Sequence, residues 1–340
     1  MAGKVYPTPE FVAEISGNHN GNLERACSLI EAASKSGATA VKLQTYRPET
    51  MTLDIDSFRV SSDHSLWGDR SLYSLYQEAM TPWEWHSKLF TLAHEMKIEI
   101  FSSPFDRSAV DFLEELNCAR YKIASMETSD VDLIYYAAQT GKPLIISTGA
   151  TTMDELTRAV SAAEMGGCKS LTLLLCTSSY PANPKDAHIK RLETLRKEFG
   201  LPVGLSDHTL GIGTSVAAIA LGACMIEKHM TLKREDGGPD AAFSLEPDEF
   251  EELVREGGVA FESIGEGGWF EQPSEAESRK LRRSLFIVKD VQRGEVATRE
   301  NVKALRPNLG GPIYNLDQIL GMRFRQKYTS GTAAEIDCFE

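Results

Sequence analysis

A short run of β-branched and apolar residues, a turn, then an amphipathic stretch of helical length forms a unit that recurs eight times between residue 10 and about residue 265. The candidate strands are FVAEIS (11–16), TAVKLQT (39–45), IEIFSS (98–103), RYKIAS (120–125), PLIIST (143–148), SLTLLLC (170–176), PVGLSD (202–207) and CMIEKH (224–229). Between them lie helical patterns such as LERACSLIEAASKSG, DRSAVDFLEELN, TMDELTRAVSAAEMGG and PDEFEELVREGGVAFESIG. Thr151 and Thr152 ahead of Asp154 and Glu155 mark one helix start, and Gly166-Gly167 marks its stop. Such alternation confines the chain to a parallel sheet covered by helices. Eight units in about 260 residues is the count of a closed (β/α)8 TIM barrel rather than of an open doubly wound sheet.

One connection is out of scale. Residues 46–80 separate the second strand from its helix, and so long an excursion reads as a lid or substrate loop. Its aromatics Phe58, Trp67, Tyr73 and Tyr76 offer the alternative that it packs onto the barrel. After residue 265 the texture turns polar and glycine-containing, then to short strands and turns. The expected organisation is a barrel over 1–268, a linker over 269–283 and a small domain over 284–340. Within that last part, KDVQRGEVATRENV and RQKYTSGTAAEIDCF share a faint repeat of extended run, glycine turn and extended run. So short a tail is marginal alone and is expected to dock against something.

Lysine and arginine total 36 against 49 acidic residues, a formal charge of −13, which argues against general nucleic-acid or membrane-surface binding. No apolar run is long enough to span a bilayer. The opening MAGKVYPTPEFVAEIS lacks the basic region and long apolar core of a secretory signal. The six cysteines form no CxxC pair and read as reduced core thiols, so a cytoplasmic location is expected.

In a barrel of this kind, chemistry is placed at the carboxyl ends of the strands. Those ends carry Glu14, Lys42 with Gln44, Ser102-Ser103, Lys122 with Ser125, Ser147-Thr148, Thr177, Ser206-Asp207-His208 and Glu227-Lys228-His229. His208 and His229 close neighbouring strands, which lie about 4.8 Å apart, so both rings can reach one divalent ion acting as a Lewis acid. The alternative is a pair of histidines satisfied by hydrogen bonds at the barrel mouth. His19 in SGNHNG is either a third ligand or a loop cap, while His64, His86, His94 and His188 read as surface or packing residues. Lys42 and Lys122 sit among apolar neighbours, where an unpartnered ammonium is costly. An anion beside both explains them, as does pairing with Glu14 or Glu127. A Schiff-base aldolase role for Lys122 is a further alternative, and a non-catalytic sugar-binding module another. From the residues alone, the reading is a metal-assisted reaction on a small anion.

Taken in order, AEISGNHNG, VKLQTY, SSPFD, YKIAS, STG, CTSSYP, GLSDHT and EKHM resemble the sialic acid synthase family, and the tail resembles its antifreeze-protein-like SAF (β-clip) domain. SGNHNG and LWGDRSLYSLYQEAMTPWEWH look most like the pseudaminic acid synthases of that family, with N-acetylneuraminate and legionaminate synthases as alternatives. The resemblance implies condensation of phosphoenolpyruvate with an amino-sugar aldehyde in a swapped homodimer. It implies Mn²⁺ or Mg²⁺ on His208 and His229, with Glu14 as general base or water-positioning group. Lys42, Lys122, Ser103, Ser125, Ser178 and Ser206 would hold phosphoenolpyruvate; the family often has Thr at the position of Ser103 and Asn at that of Ser178. Gln44, Glu127 and Asp240 would face the sugar, and Arg306 would reach it from the partner subunit.

Overall fold

A computed structural model describes residues 7–62 and 66–340. His64 and the first six residues of the opening stretch lie outside the described residues. Clustering of contacts divides the chain into two compact units, 1–266 and 267–340.

The first unit is a closed barrel of parallel strands in sequence order. The strands are β1 (Glu10–Glu14), β2 (Ala40–Thr45), β3 (Glu99–Pro104), β4 (Tyr121–Ile123), β5 (Leu144–Ser147), β6 (Leu171–Cys176), β7 (Val203–Asp207) and β8 (Met225–His229), and β8 closes the ring on β1. All eight candidate runs are strands. They read as nearly unbroken apolar runs because one face lines the barrel and the other packs beneath helices. Helices Leu23–Lys35, Trp83–Glu95, Arg107–Glu115, Val131–Ala138, Met153–Gly166, Arg191–Phe199, Gly213–Ala220 and Pro247–Ile264 form the outer layer.

The helix starts are written in local chemistry. Asn22, Asp106 and Asp130 each accept a backbone N–H of the first turn. Thr152 and Glu155 form a reciprocal capping box, as the sequence suggested. The expected stop is one residue later than the first glycine: Gly166 is still helical, and Gly167 ends the helix at φ 85°.

The 46–80 excursion folds over the mouth of the barrel. It holds helices Pro48–Met51 and Leu72–Ala79, and Ala79 packs against Gly17 so closely that a Cβ there would sit 3.1 Å away. Trp67 donates Nε1–H to the Pro239 carbonyl at 2.8 Å, while Phe58 is exposed. The barrel floor is closed by Arg120, which pairs with Glu10 and Glu99 at 2.6 Å each and lies 4.7 Å over the Phe101 ring.

The second unit has its own core of Leu285, Ile287, Val291, Val302, Ile319, Phe324 and Phe339 around an antiparallel pair, β9 (Ser284–Ile287) and β10 (Val302–Leu305). The faint repeat has a structural counterpart. Turns at Gly294 and Gly331 both take positive φ, and Val291 and Tyr328, one from each half, exchange backbone hydrogen bonds at 2.9 and 3.1 Å. The segment read as linker includes a short helix, Ala276–Lys280, and an exposed Trp269. Among the described residues, no helix is long and apolar enough to cross a membrane.

Gly166 is a test of how tightly the outer layer is packed. A Cβ there would strike Ala138 and the Tyr135 carbonyl of the neighbouring helix. Alanine for glycine inside a helix ordinarily stabilises by about 0.5–1 kcal/mol. Gly166→Ala should instead destabilise by about 1–3 kcal/mol through overpacking. Urea denaturation reads the sign, and a gain in stability would contradict the close approach.

Candidate active site

Side chains alternate along a strand, so the polar residues at the strand ends divide between two surroundings. Those that face inward form one cluster. Lys42 Nζ on β2 pairs with the Glu14 carboxylate on β1, lies 3.8 Å from Glu227 on β8 and donates to Ser103 Oγ on β3 at 3.3 Å. Lys122 Nζ on β4 reaches both oxygens of Glu227, at 2.9 and 3.1 Å. Ser206 Oγ on β7 donates to the same carboxylate at 2.9 Å. Glu14 Oε1 in turn accepts the Ser16 N–H at 2.8 Å. All of these side chains are buried. Lys42 therefore pairs with Glu14 as expected, whereas Lys122 pairs with Glu227 and not with Glu127.

Two ammonium groups and two carboxylates balance in charge. Burial opposes ionisation of Glu227, but Lys122 and Lys42 outweigh it and hold the carboxyl at about 2. Burial likewise opposes charge on Lys42, where Glu14 and Glu227 prevail and raise its pKa. For Glu14 burial wins, pushing the carboxyl above its ordinary range, and for Lys122 burial wins in the other direction. The cluster thus joins two firmly charged groups to two that are easier to neutralise.

The histidines rise beside it. The His208 and His229 rings are 5.3 Å apart between centroids. His208 Nδ1 faces the Thr177 carbonyl at 3.1 Å, which fixes the ring and leaves Nε2 for another partner. His229 Nδ1 is buried with no hydrogen-bond partner and lies 3.9 Å from Asp240 Oδ2. Burial, then the nearby His208, lowers the His229 pKa well below its ordinary value, which keeps the ring neutral. Asp240 is held by Ser16 Oγ, and burial raises its pKa. Tyr180 and Phe243 enclose the pair, with ring centroids 4.5 Å from His208 and 4.9 Å from His229 respectively. Trp67 of the excursion stands 5.5 Å from Tyr180, so the loop roofs this corner of the mouth.

A third group gathers at β4, β5 and β6. Ser125 Oγ accepts the Gly149 N–H at 3.1 Å. Gly149 packs against Ser178, Ser125 and Cys176, and any Cβ there would collide with the Ser178 hydroxyl. Gln44 is half-buried at the end of β2, in register with Ser103. Glu127 follows β4, with Oε2 buried and without a partner. Arg306 is exposed on the second unit.

Several expectations need correction. Cys176 is a buried free thiol, but one that also faces the site: its Sγ lies 3.9 Å from His208 Nδ1 and 3.7 Å from Ser178 Oγ. Burial would raise its pKa, yet His208, Ser125 and Lys122 together bring it to about 7. Of the two readings of His19, the structure shows the cap: Nδ1 accepts the Gly21 N–H at 3.1 Å and the ring meets Trp85 edge-on, while Nε2 is buried without a partner. His86 is a packing residue, though a buried one; its Nε2 accepts from Thr45 Oγ1 at 2.8 Å, and Ser102 joins the same hydroxyl at 2.7 Å. Ser102, Asp207 and Lys228 all face the helical layer rather than the mouth. Glu227 and Ser147 stand among the strand-end groups of the sequence with no role assigned to them. Strand alternation with Ser206 and Lys122 as inward markers would have found Glu227, and Ser147 Oγ is buried without a partner.

A model of the NeuB family matches residues 29–268, and one of the SAF domain matches residues 282–340. The chain belongs to the NeuB family. The sialic acid synthase resemblance and the SAF assignment of the tail are thereby borne out. Among NeuB relatives, the pseudaminic acid synthase of Helicobacter pylori is 43% identical over 98% of both chains. The N,N'-diacetyllegionaminic acid synthase of Legionella pneumophila is 36% identical over 95% of this chain and 92% of that one. The crystal structure of N-acetylneuraminic acid synthetase from Leptospira borgpetersenii, in complex with citrate, superposes with a TM-score of 0.71 at 31% identity, covering 79% of this chain and 90% of that one.

Glu127 sets a pH dependence. Burial raises its carboxyl from 4.5 to about 7. Between those values the folded protein holds a proton that the unfolded chain releases, so this residue's contribution falls as pH rises from 4.5 to 7. The residue is half-buried, which limits the effect to about 1–3 kcal/mol. Glu127→Gln should remove that slope from a pH series of denaturation curves; an unchanged slope would count against it.

Proposed function

We propose that this chain is a pseudaminic acid synthase. It would condense phosphoenolpyruvate with the open-chain aldehyde of 2,4-diacetamido-2,4,6-trideoxy-β-L-altropyranose, giving pseudaminic acid and phosphate, a transferase reaction. The observation that carries this reading is the paired-lysine cluster directly beside the two-histidine corner. Relatives named for this activity, identical at 43% and 38% over nearly the whole chain, support the choice of sugar.

The donor set at the corner fits a divalent cation. His229 offers a buried nitrogen without a partner, and His208 is oriented by a backbone carbonyl. Among the described residues no group of three or more His, Cys, Asp or Glu is placed to hold a metal ion. Two imidazoles would hold the ion and leave positions for water and substrate. When bound, Mn²⁺ or Mg²⁺ would polarise the aldehyde oxygen as a Lewis acid.

This chain's own groups do the rest. Lys42 and Lys122 would exchange their carboxylate contacts for the carboxylate and phosphate of phosphoenolpyruvate, with Ser103, Ser125, Ser178 and Ser206 supplying hydroxyl donors. Gln44, Glu127 and Asp240 would orient the sugar. C3 of phosphoenolpyruvate then attacks the aldehyde carbon; the carbonyl π pair moves to the aldehyde oxygen, which takes up a proton to become the product hydroxyl, and positive charge develops at C2. Glu14 and Glu227, fixed carboxylates in a dry site, favour that charge. Glu14, whose carboxyl burial makes easier to protonate, takes a proton from the water that adds at C2. The tetrahedral intermediate expels phosphate as the C2–O bond breaks, so the bridging oxygen leaves with phosphate. Lys122 Nζ is engaged by both oxygens of Glu227, contacts that a Schiff base at that nitrogen would have to give up.

The SAF unit would act as a lid from a second copy, carrying Arg306 to the sugar in a swapped homodimer. A cytoplasmic location accords with six unpaired thiols.

Phosphate release with phosphoenolpyruvate, Mn²⁺ and three sugars in parallel tests the proposal. The altrose derivative should be the best substrate, ahead of the legionaminate precursor and N-acetylmannosamine. Release with none of them would overturn it. His208→Ala should lower turnover by about 10³-fold or more, a loss of about 4 kcal/mol, and added Mn²⁺ should not restore it.

A further inference from the structure

The residues immediately before the two histidines form a buried ion pair. Asp207 and Lys228 are register partners on β7 and β8, and their side chains are 1% and 0% exposed. Lys228 Nζ donates to Asp207 Oδ2 at 2.9 Å and to the Thr209 carbonyl at 2.5 Å. Asp207 Oδ1 accepts the Thr209 N–H at 2.9 Å, and Oδ2 accepts Ser215 Oγ–H from helix Gly213–Ala220 at 2.6 Å. The segment 207–209 is therefore gripped on both sides of His208, partly by the residue that precedes His229.

Beyond this point the strands part company. The His208 carbonyl accepts from Ala182 N–H at 2.9 Å, whereas that of His229 accepts from Leu245 N–H at 2.8 Å. The Asp207–Lys228 contact is the last register pair between β7 and β8 before the imidazoles emerge. We propose that it is a register clamp: it sets the spacing of His208 and His229, and so the affinity of the corner for a divalent cation. The proposal rests on the reading of those histidines as the cation's ligands.

The physical argument is one of cost. Taking two charges out of water is expensive, and replacing a buried pair by apolar residues is often neutral or stabilising. Stability is thus a weak reason to keep this pair. What an apolar pair cannot supply is the grip on the Thr209 N–H and carbonyl, on the far side of His208. That grip fixes the direction in which the chain leaves β7, and with it the position of His208 relative to His229. Both residues act through the histidines and are positioning residues.

The experiment measures Mn²⁺ affinity without turnover, by electron paramagnetic resonance of the free ion. It compares wild type with Asp207→Asn, Lys228→Met, the double variant Asp207→Leu/Lys228→Met, and Ser215→Ala. Thermal melting monitors the fold, and calorimetry measures phosphoenolpyruvate affinity. Both single variants should weaken Mn²⁺ binding by about 10–100-fold, and Ser215→Ala by a smaller factor, with phosphoenolpyruvate affinity little changed. The double variant should melt near wild type yet still bind Mn²⁺ weakly, a separation that a purely structural pair would not produce. Should the single variants fail to fold, the double variant and Ser215→Ala decide. Wild-type Mn²⁺ affinity in a stable double variant overturns the clamp. A wild-type protein that binds no Mn²⁺ overturns the metal reading itself, and the clamp with it.

Discussion

Two lysines and two glutamates share the interior of the barrel, and the site depends on how their charges balance. Either ammonium alone would be costly in so dry a place. Glu227 makes the arrangement possible, since Lys42, Lys122 and Ser206 all converge on it. The result is a neutral plug whose cations are held in place before any ligand arrives. An incoming phosphorylated carboxylate meets cations already in place, so little reorganisation is needed at the moment of reaction. The chain's overall charge of −13 gives no hint of this local field.

The barrel supplies the geometry that the charges need. Its floor is stopped by Arg120 between two glutamates, and its mouth by loops that hold one another. Trp67 reaches the loop carrying Asp240, which in turn is fastened to Ser16 after β1. Tyr180 and Phe243 wall the histidine corner with aromatic surface. Water exclusion and ligand placement therefore come from the same contacts. The excursion after β2 is a packed segment, with Trp67 seated on Pro239 and Tyr180.

Strand–helix alternation made the barrel legible, because a parallel strand buried on both faces leaves an unbroken apolar run followed by turn chemistry. The paired histidines and the lysines were visible for a similar reason: each interrupts an apolar strand at its carboxyl end. What strand ends do not announce is which face a residue takes. Lys228 and Glu227 are adjacent in sequence, yet one lies under a helix and the other at the centre of the site. Cys176 was hidden because a thiol is equally at home in a core, and only the approach of His208 from a strand 32 residues away reveals its polar setting. The partner of Lys122 was missed because Glu227 is 105 residues distant, a separation no local pattern spans. His19 was read as either a ligand or a loop cap, and its Nδ1 serves as the cap.

The two ammonium groups exist to hold a small phosphorylated carboxylate. Calorimetric titration of phosphoenolpyruvate into Lys42→Met, and into Lys122→Met combined with Glu227→Gln to keep the charge balanced, tests this most directly. Each folded variant should bind at least about 30-fold more weakly than wild type, which corresponds to the roughly 2 kcal/mol of a lost charge-assisted contact. Binding as tight as wild type in either would contradict the account.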